Sequence, residues 1–144
     1  MRRRLLVDLV ALPFDTRAQL MYQAQLDVFL TTLSSLMHAT ALLGSAGLTA
    51  REVFADLVGM VAATPSIIGA AGDLAAQLDA GEHPGHLSTA TMMGATTDHI
   101  VAASESAGID LALPRAVQSH YRRVIEDGRG GDNWTRILDA IRDR

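Results

Sequence analysis

Few side chains in this sequence can do chemistry, and their scarcity narrows the reading. All 12 basic residues are arginine, so a Schiff-base lysine or a lysine general base is ruled out. Cysteine is absent too, which removes disulfides, thiolate nucleophiles and cysteine-based zinc sites together. Tyr22, near a helix start, carries a phenol that can in principle donate a proton. It can equally be an ordinary tyrosine, ring packed and hydroxyl at the edge. His83 and His86 form an H-x-x-H in a Gly/Pro loop, with Asp98-His99 close by in sequence. Without a third ligand at a known spacing this is not a metal signature, and no metal is expected. His38 lies on an apolar segment and reads as a hydrogen-bonded interface histidine rather than a catalyst. The G-x-G of Gly128-Arg129-Gly130 follows a helix and has Asn133 where the third glycine of a phosphate-binding turn belongs. It reads as a helix stop followed by a cap. Arg115, Arg122 and Arg123 read as a solvated helix face.

The element that must position Tyr22 is unusual. Tyr22 to Ala46 is a run of 25 residues carrying one full charge, Asp27. A helix so apolar around its circumference has to be buried on nearly every side. Thr16 with Gln19 offers a capping box at its start, and Gly44 or Gly47 would end it. About thirty residues of helix span roughly 45 Å, whereas a globule of this chain length is under roughly 40 Å across. One copy cannot wrap such a rod, so a homodimer is expected. A membrane is the competing cover, since Val28 to Ala46 approaches the length of a bilayer span. Seven polar side chains stud that stretch (Thr31, Thr32, Ser34, Ser35, His38, Thr40 and Ser45), and no aromatic belt or adjacent basic cluster frames it. A buried helix in a soluble dimer fits better, and no membrane partner is expected.

Caps mark out the other elements. Thr49 followed by Glu52 is a capping box for a helix to about Ala63. Thr64-Pro65 would cap the next, running through Asp79 to Gly81. Gly81 to His86 is a breaker-rich loop. Ser88 would then cap a helix to Ala107, stopped by Gly108. Pro114 would start another through Asp127, stopped by Gly128. Asp132 would cap a last short helix, Trp134 to Arg142. No alternating strand pattern is found. The fold class expected is all-α, six helices built on one long apolar helix. Residues 1–14 fit least well. Arg3 to Leu9 allows two turns of helix, Val10 to Phe14 looks extended, and this end is expected to be frayed. Arg2 to Arg4 are basic, but Leu5 to Leu12 is interrupted by Asp8 and too short for a signal peptide, so a cytoplasmic location is expected.

Composition agrees with packed helices. Hydrophobic residues make up 49% but aromatics only 4%, so Ala, Leu, Val and Met must fill the core. At 144 residues there is room for one such core. A net charge of −4 spread over both ends argues against nucleic acid as a partner.

Several short motifs, in order, carry a family resemblance. Met21 to Asp27, with His38-Ala39 sixteen residues after Tyr22, resembles the inter-domain helix of imine reductases and reductive aminases. Asp79-Ala80-Gly81-Glu82-His83-Pro84-Gly85 is similar to that family's D-A-G-x-x-P-G turn. Gly108-Ile109-Asp110 with Leu113-Pro114 matches as well, and Gly128-Arg129-Gly130-Gly131-Asp132 resembles its closing G-H-G-G-D element, with Arg129 in place of the usual histidine. The resemblance runs from about residue 15 to the C-terminus. It implies that residues 15–144 are the C-terminal helical domain of a β-hydroxyacid dehydrogenase-like oxidoreductase, and that residues 1–14 are a remnant of the linker from an N-terminal Rossmann domain. It implies Tyr22 as the group that protonates or orients the imine nitrogen. Leu26 and Phe29 follow on the same helical face, and Met60, Met92 and Met93 stand where the family lines its substrate pocket. The bland reading of those methionines, core packing, stays open.

NADPH is the family's cofactor, but a strand, a G-x-G-x-x-G turn and a helix are needed to hold it, and this chain alone is expected to bind none. In the family the active-site cleft lies between one subunit's Rossmann domain and the other's helical domain. Two functions follow. In one, the chain alone handles a small amine, imine or carbonyl compound in a non-redox biosynthetic step such as cyclisation, dehydration or isomerisation, with Tyr22 as acid/base. In the other, it is the dimerisation and substrate-pocket part of an NADPH-dependent imine reductase, inactive without a Rossmann partner that a separate protein could supply.

Overall fold

A computed structural model describes residues 14–70 and 72–142; the expectations for residues 1–13 lie outside that range. Six α-helices and one short 3-10 turn make up the described residues, with no strand among them. The chain divides into two units between Ser35 and Leu36.

Helix α1 runs from Phe14 to Ser45. Thr16, expected as its cap, lies inside the first turn, where Asp15 faces the positive end of the helix dipole. Its stop is Gly47, at φ +87°, with the Leu48 amide donating to the Leu43 carbonyl at 3.3 Å. In the first unit two hydroxyls of α1 turn back on their own helix. The Thr32 hydroxyl donates to the Val28 carbonyl at 2.7 Å and the Ser35 hydroxyl to Thr32 at 2.8 Å. Thr40 and Ser45, in the second unit, do the same to Leu36 and Leu42. Hydroxyls satisfied this way do not need water, so a helix that reads as partly polar presents a largely apolar exterior.

Helix α2 runs from Ala50 to Gly69 and opens with the expected box: the Thr49 amide donates to the Glu52 carboxylate at 2.7 Å and its hydroxyl at 2.8 Å. The expected break at Thr64-Pro65 does not occur, and α2 continues through Pro65. Proline removes one intrahelical donor, and good helix formers, Ala62 and Ala63, precede the site. Thr64 does not cap the next helix; its hydroxyl bonds back to the Met60 carbonyl at 3.0 Å. The next helix, α3 (Leu74–Ala80), is capped instead by Asp73, which accepts from the Ala76 amide.

The core of the second unit lies between α4 (Ala90–Ser106) and α5 (Ala112–Glu126). Ala90, Gly94, Thr97, Val101 and Ser104 are buried along α4 at alternating spacings of four and three, one continuous seam. Pro114, Gln118, Tyr121 and Val124 answer from α5. A Cβ on Gly94 would sit 2.8 Å from the tip of the Ile125 side chain, which would have to turn aside to admit it. Met93, Trp134, Ile137 and Ala140 close over Ala90, Tyr121 and Val124. Two caps shift from their expected places. Thr89, not Ser88, accepts from the Met92 amide at 3.2 Å. Asp110 accepts from the Ala112 amide, starting α5 two residues before Pro114. The last helix begins as a 3-10 turn, Trp134–Arg136, entered from Asn133, and continues as α6, Ile137–Arg142. Asp132 does not cap it, because its carboxylate holds the Arg136 guanidinium.

Candidate functional site

On α1, Tyr22, Leu26 and Phe29 stand at i, i+4 and i+7, on one helical face. Tyr22 is 63% exposed and Phe29 56%, with Leu26 half-buried between them. In the second unit, Met60 on α2 and Met92 on α4 are exposed. Met93, next in sequence to Met92, packs against the Ala90–Tyr121–Val124 cluster and so belongs in part to the core. Within the first unit, Tyr22, Leu26 and Phe29 offer an apolar face with one phenol; within the second, Met60 and Met92 offer exposed, adaptable thioethers.

A cleft of about 580 Å³ lies elsewhere, lined by Arg123, Val124, Glu126, Asp127, Arg129, Arg136, Asp139 and Ala140. None of the expected pocket residues, Tyr22, Leu26, Phe29, Met60, Met92 or Met93, lines it, whereas Arg123 and Arg129 do. Its charges largely cancel, and Arg136 is engaged with Asp132 at 2.7 Å and Asp139 at 2.8 Å.

Sequence reasoning missed the polar network beside this cleft. His83 is 8% exposed, and its Nδ1 is 2.9 Å from the Thr135 hydroxyl, which also accepts from the Asn133 side-chain amide at 3.1 Å. Its Nε2 is 3.7 Å from the Asp139 carboxylate. Burial holds the imidazole below its ordinary value, and the Arg136 guanidinium adds to this, against the opposing pull of Asp139 and Asp132. The sequence signal was the charge ladder Asp132, Arg136, Asp139, spaced as one helical face; nothing local linked it to His83. The H-x-x-H is not a unit: His83 is buried, His86 exposed, and no group of three or more potential ligands occurs among the described residues. His38 makes a contact within its own chain, its Nε2 donating to the Asp110 carbonyl at 3.0 Å. Arg115 and Arg122 are exposed and pair with Glu105 and Asp98.

Three of the five amides in the Gly128–Asp132 turn are already engaged, which makes it a poor cradle for a dinucleotide phosphate. The amides of Gly128, Arg129 and Asp132 are already bonded to the carbonyls of Ile125, Val124 and Arg129. The turn offers carbonyls instead: Asp132 and Gly130 accept from the amides of Ala90 and Thr91, satisfying the start of α4. A phosphate needs donors.

These features define an all-helical chain that leaves apolar side chains on α1 exposed. Residues 15–143 match the profile of the NADPH-dependent reductive aminase-like family, C-terminal domain, and the chain belongs to that family. Among solved structures, an imine reductase from Bacillus cereus BAG3X2 is similar at 32% identity and a TM-score of 0.82, over 88% of this chain and 43% of its own. A Streptomyces aurantiacus imine reductase is 30% identical, with a TM-score of 0.75 over 85% of this chain and 41% of its own. A reductive aminase from Aspergillus terreus, solved with NADPH4, cyclohexanone and allyl amine, is 26% identical, with a TM-score of 0.78 over 87% of this chain and 43% of its own. The chain therefore spans less than half the length of these relatives. No curated protein matches it.

Proposed function

We propose that this domain is the dimerisation and substrate-pocket part of an NADPH-dependent imine reductase or reductive aminase. A dinucleotide-binding domain, in the same polypeptide or supplied by another, completes it. The observation that carries this reading is the exposed face of α1, where Tyr22, Leu26 and Phe29 line up with nothing in the described unit to enclose them. In this reading Tyr22 protonates or orients the imine nitrogen, and Leu26, Phe29, Met60, Met92 and Met93 form the apolar wall. The nicotinamide supplies the hydride when bound to the completing domain. A non-redox step by the helical domain alone is less favoured. A general acid works best in a site that excludes water, and the Tyr22 ring here is largely open to it.

The test replaces the C-terminal domain of a full-length reductive aminase with residues 15–143. NADPH oxidation is then followed with a panel of cyclic imines, beside the isolated chain. The chimera is expected to turn over at least one imine and the isolated chain none, with no low-micromolar NADPH binding by the latter. Turnover or tight NADPH binding by the isolated chain, or a folded chimera inert on every imine, would overturn the reading.

A further inference from the structure

The loop between α3 and α4 is held to the C-terminal turn by side chains that the proposed function does not use. The backbone contributes an antiparallel bridge between Thr89 and Asn133, the Asn133 amide donating to the His83 carbonyl at 2.9 Å, and the Trp134 amide donating to Ser88 at 3.0 Å. Over these sits the side-chain chain of Asn133, Thr135 and His83, all three residues buried.

One arrangement of hydrogens gives every polar atom of that chain a partner, with the Thr135 proton included. A hydroxyl has one proton and two lone pairs. Asn133 Nδ2 donates to the Thr135 oxygen, so the hydroxyl proton is free to go to His83 Nδ1. The imidazole is then an acceptor at Nδ1 and carries its proton on Nε2, toward Asp139. A second proton could enter only at Nδ1. There it would turn an acceptor into a donor, and the Thr135 oxygen would accept from both Asn133 and His83. The threonine's own proton would lose its acceptor in a residue only 4% exposed. The charged groups facing the ring are Arg136, Asp139 and Asp132. The first repels an imidazolium, and the two carboxylates that would welcome it are both engaged by that same guanidinium.

We propose that His83, Thr135 and Asn133 form an acid-released clasp, in which protonation of His83 detaches the 82–88 loop from the 133–135 turn and loosens the start of α4. The sign follows from linkage. A clasped imidazole that resists protonation binds fewer protons than a released one, whose ordinary value is 6.5. The clasp is therefore at full strength above that pH and weakens progressively as pH falls below it. Release reaches α4 because the Ala90 and Thr91 amides depend on the carbonyls of Asp132 and Gly130, in the segment running into the clasp. The inference stands whether or not the proposed function does.

Trp134, the single tryptophan, lies inside the clasp and reports on it. Amide hydrogen exchange at Asn133 and Trp134, corrected for intrinsic rate, is expected to speed up on acidification below pH 6.5, by at most about tenfold per pH unit, the limit for one proton. Tryptophan emission should shift to the red over the same range, while exchange at Val101, in the α4–α5 seam, stays unchanged. His83→Asn keeps an acceptor near the Nδ1 position but cannot titrate, and both responses should become flat. An unchanged acid response in His83→Asn, or no response in the unmodified chain, would overturn the proposal. Nitrogen NMR of the unmodified chain tests the hydrogen assignment without any variant. Neutral His83 protonated on Nε2 at pH 7 is expected, and a proton on Nδ1 would refute the clasp.

Discussion

The hydroxyl of Tyr22 and the imidazole of His83 show how differently single residues are constrained. Tyr22 is exposed on an apolar helix, and no packing in its unit holds its ring. Tyr22→Phe should therefore change stability by no more than about 1 kcal/mol, the worth of one hydrogen bond. In a completed enzyme the same change should lower kcat/KM by roughly 10²–10⁴-fold, the usual contribution of a general acid. Steady-state kinetics beside urea unfolding separate the two effects, and a loss of under about threefold would remove Tyr22 from the chemistry. The helix that carries Tyr22 was legible in the sequence because it announces itself by its missing charges. His83 was legible only as a loop histidine. Its partner Thr135 is 52 residues away, and no local pattern encodes a hydrogen bond across that separation.

At the scale of elements, glycine stops were more legible than side-chain caps, since Thr16, Thr64, Ser88 and Asp132 do not cap where expected. Thr49 with Glu52, Gly47, Gly108 and Gly128 act where their types require, since each satisfies helix-end groups locally or takes a left-handed turn. Pro65 misled because a proline forbids one hydrogen bond, and the neighbouring turns decide whether a helix survives that loss. Asp132 misled because Arg136, one turn on, outcompetes a backbone amide for its carboxylate. The seating of the α3–α4 loop on the C-terminal turn is likewise non-local. A Cβ on Gly85 would overlap the Gly131 carbonyl oxygen, a backbone atom with no rotamer to escape into. Gly85→Ala should destabilise the domain by about 1–3 kcal/mol, the range for overpacking. Gly131→Ala, in open space and without a left-handed φ, should stay within about 0.5 kcal/mol. Urea midpoints of the two variants decide this; equal losses would mean that the loop does not seat on the turn as described.

At the scale of the molecule, the buried apolar residues are few and lie mainly between α4 and α5, while α1, and α2 apart from Val53, leave many of theirs in the open. Met21, Val28, Phe29 and Leu30 on α1, and Met60 and Ile67 on α2, are each more than half exposed. By length and composition both helices could cross a membrane. Yet the threonine and serine hydroxyls of α1 fold back on its own carbonyls, which suits either a bilayer or a second protein surface. A partner copy offers the more economical cover. A long apolar helix meeting its twin can bury both at once across a self-complementary interface. An obligate homodimer burying more than roughly 2,000 Å² in total is therefore expected. Light scattering in detergent-free buffer should give twice the 15.3 kDa chain mass down to low micromolar concentration. Leu30→Glu places a carboxylate on the exposed α1 surface. It should leave helix content unchanged while weakening dimerisation by about 100-fold or more, since an unpaired charge buried at an interface costs several kcal/mol. A folded 15.3 kDa monomer at micromolar concentration, or a chain that stays in solution only with detergent, would exclude the dimer, and the second outcome would hand α1 to the membrane.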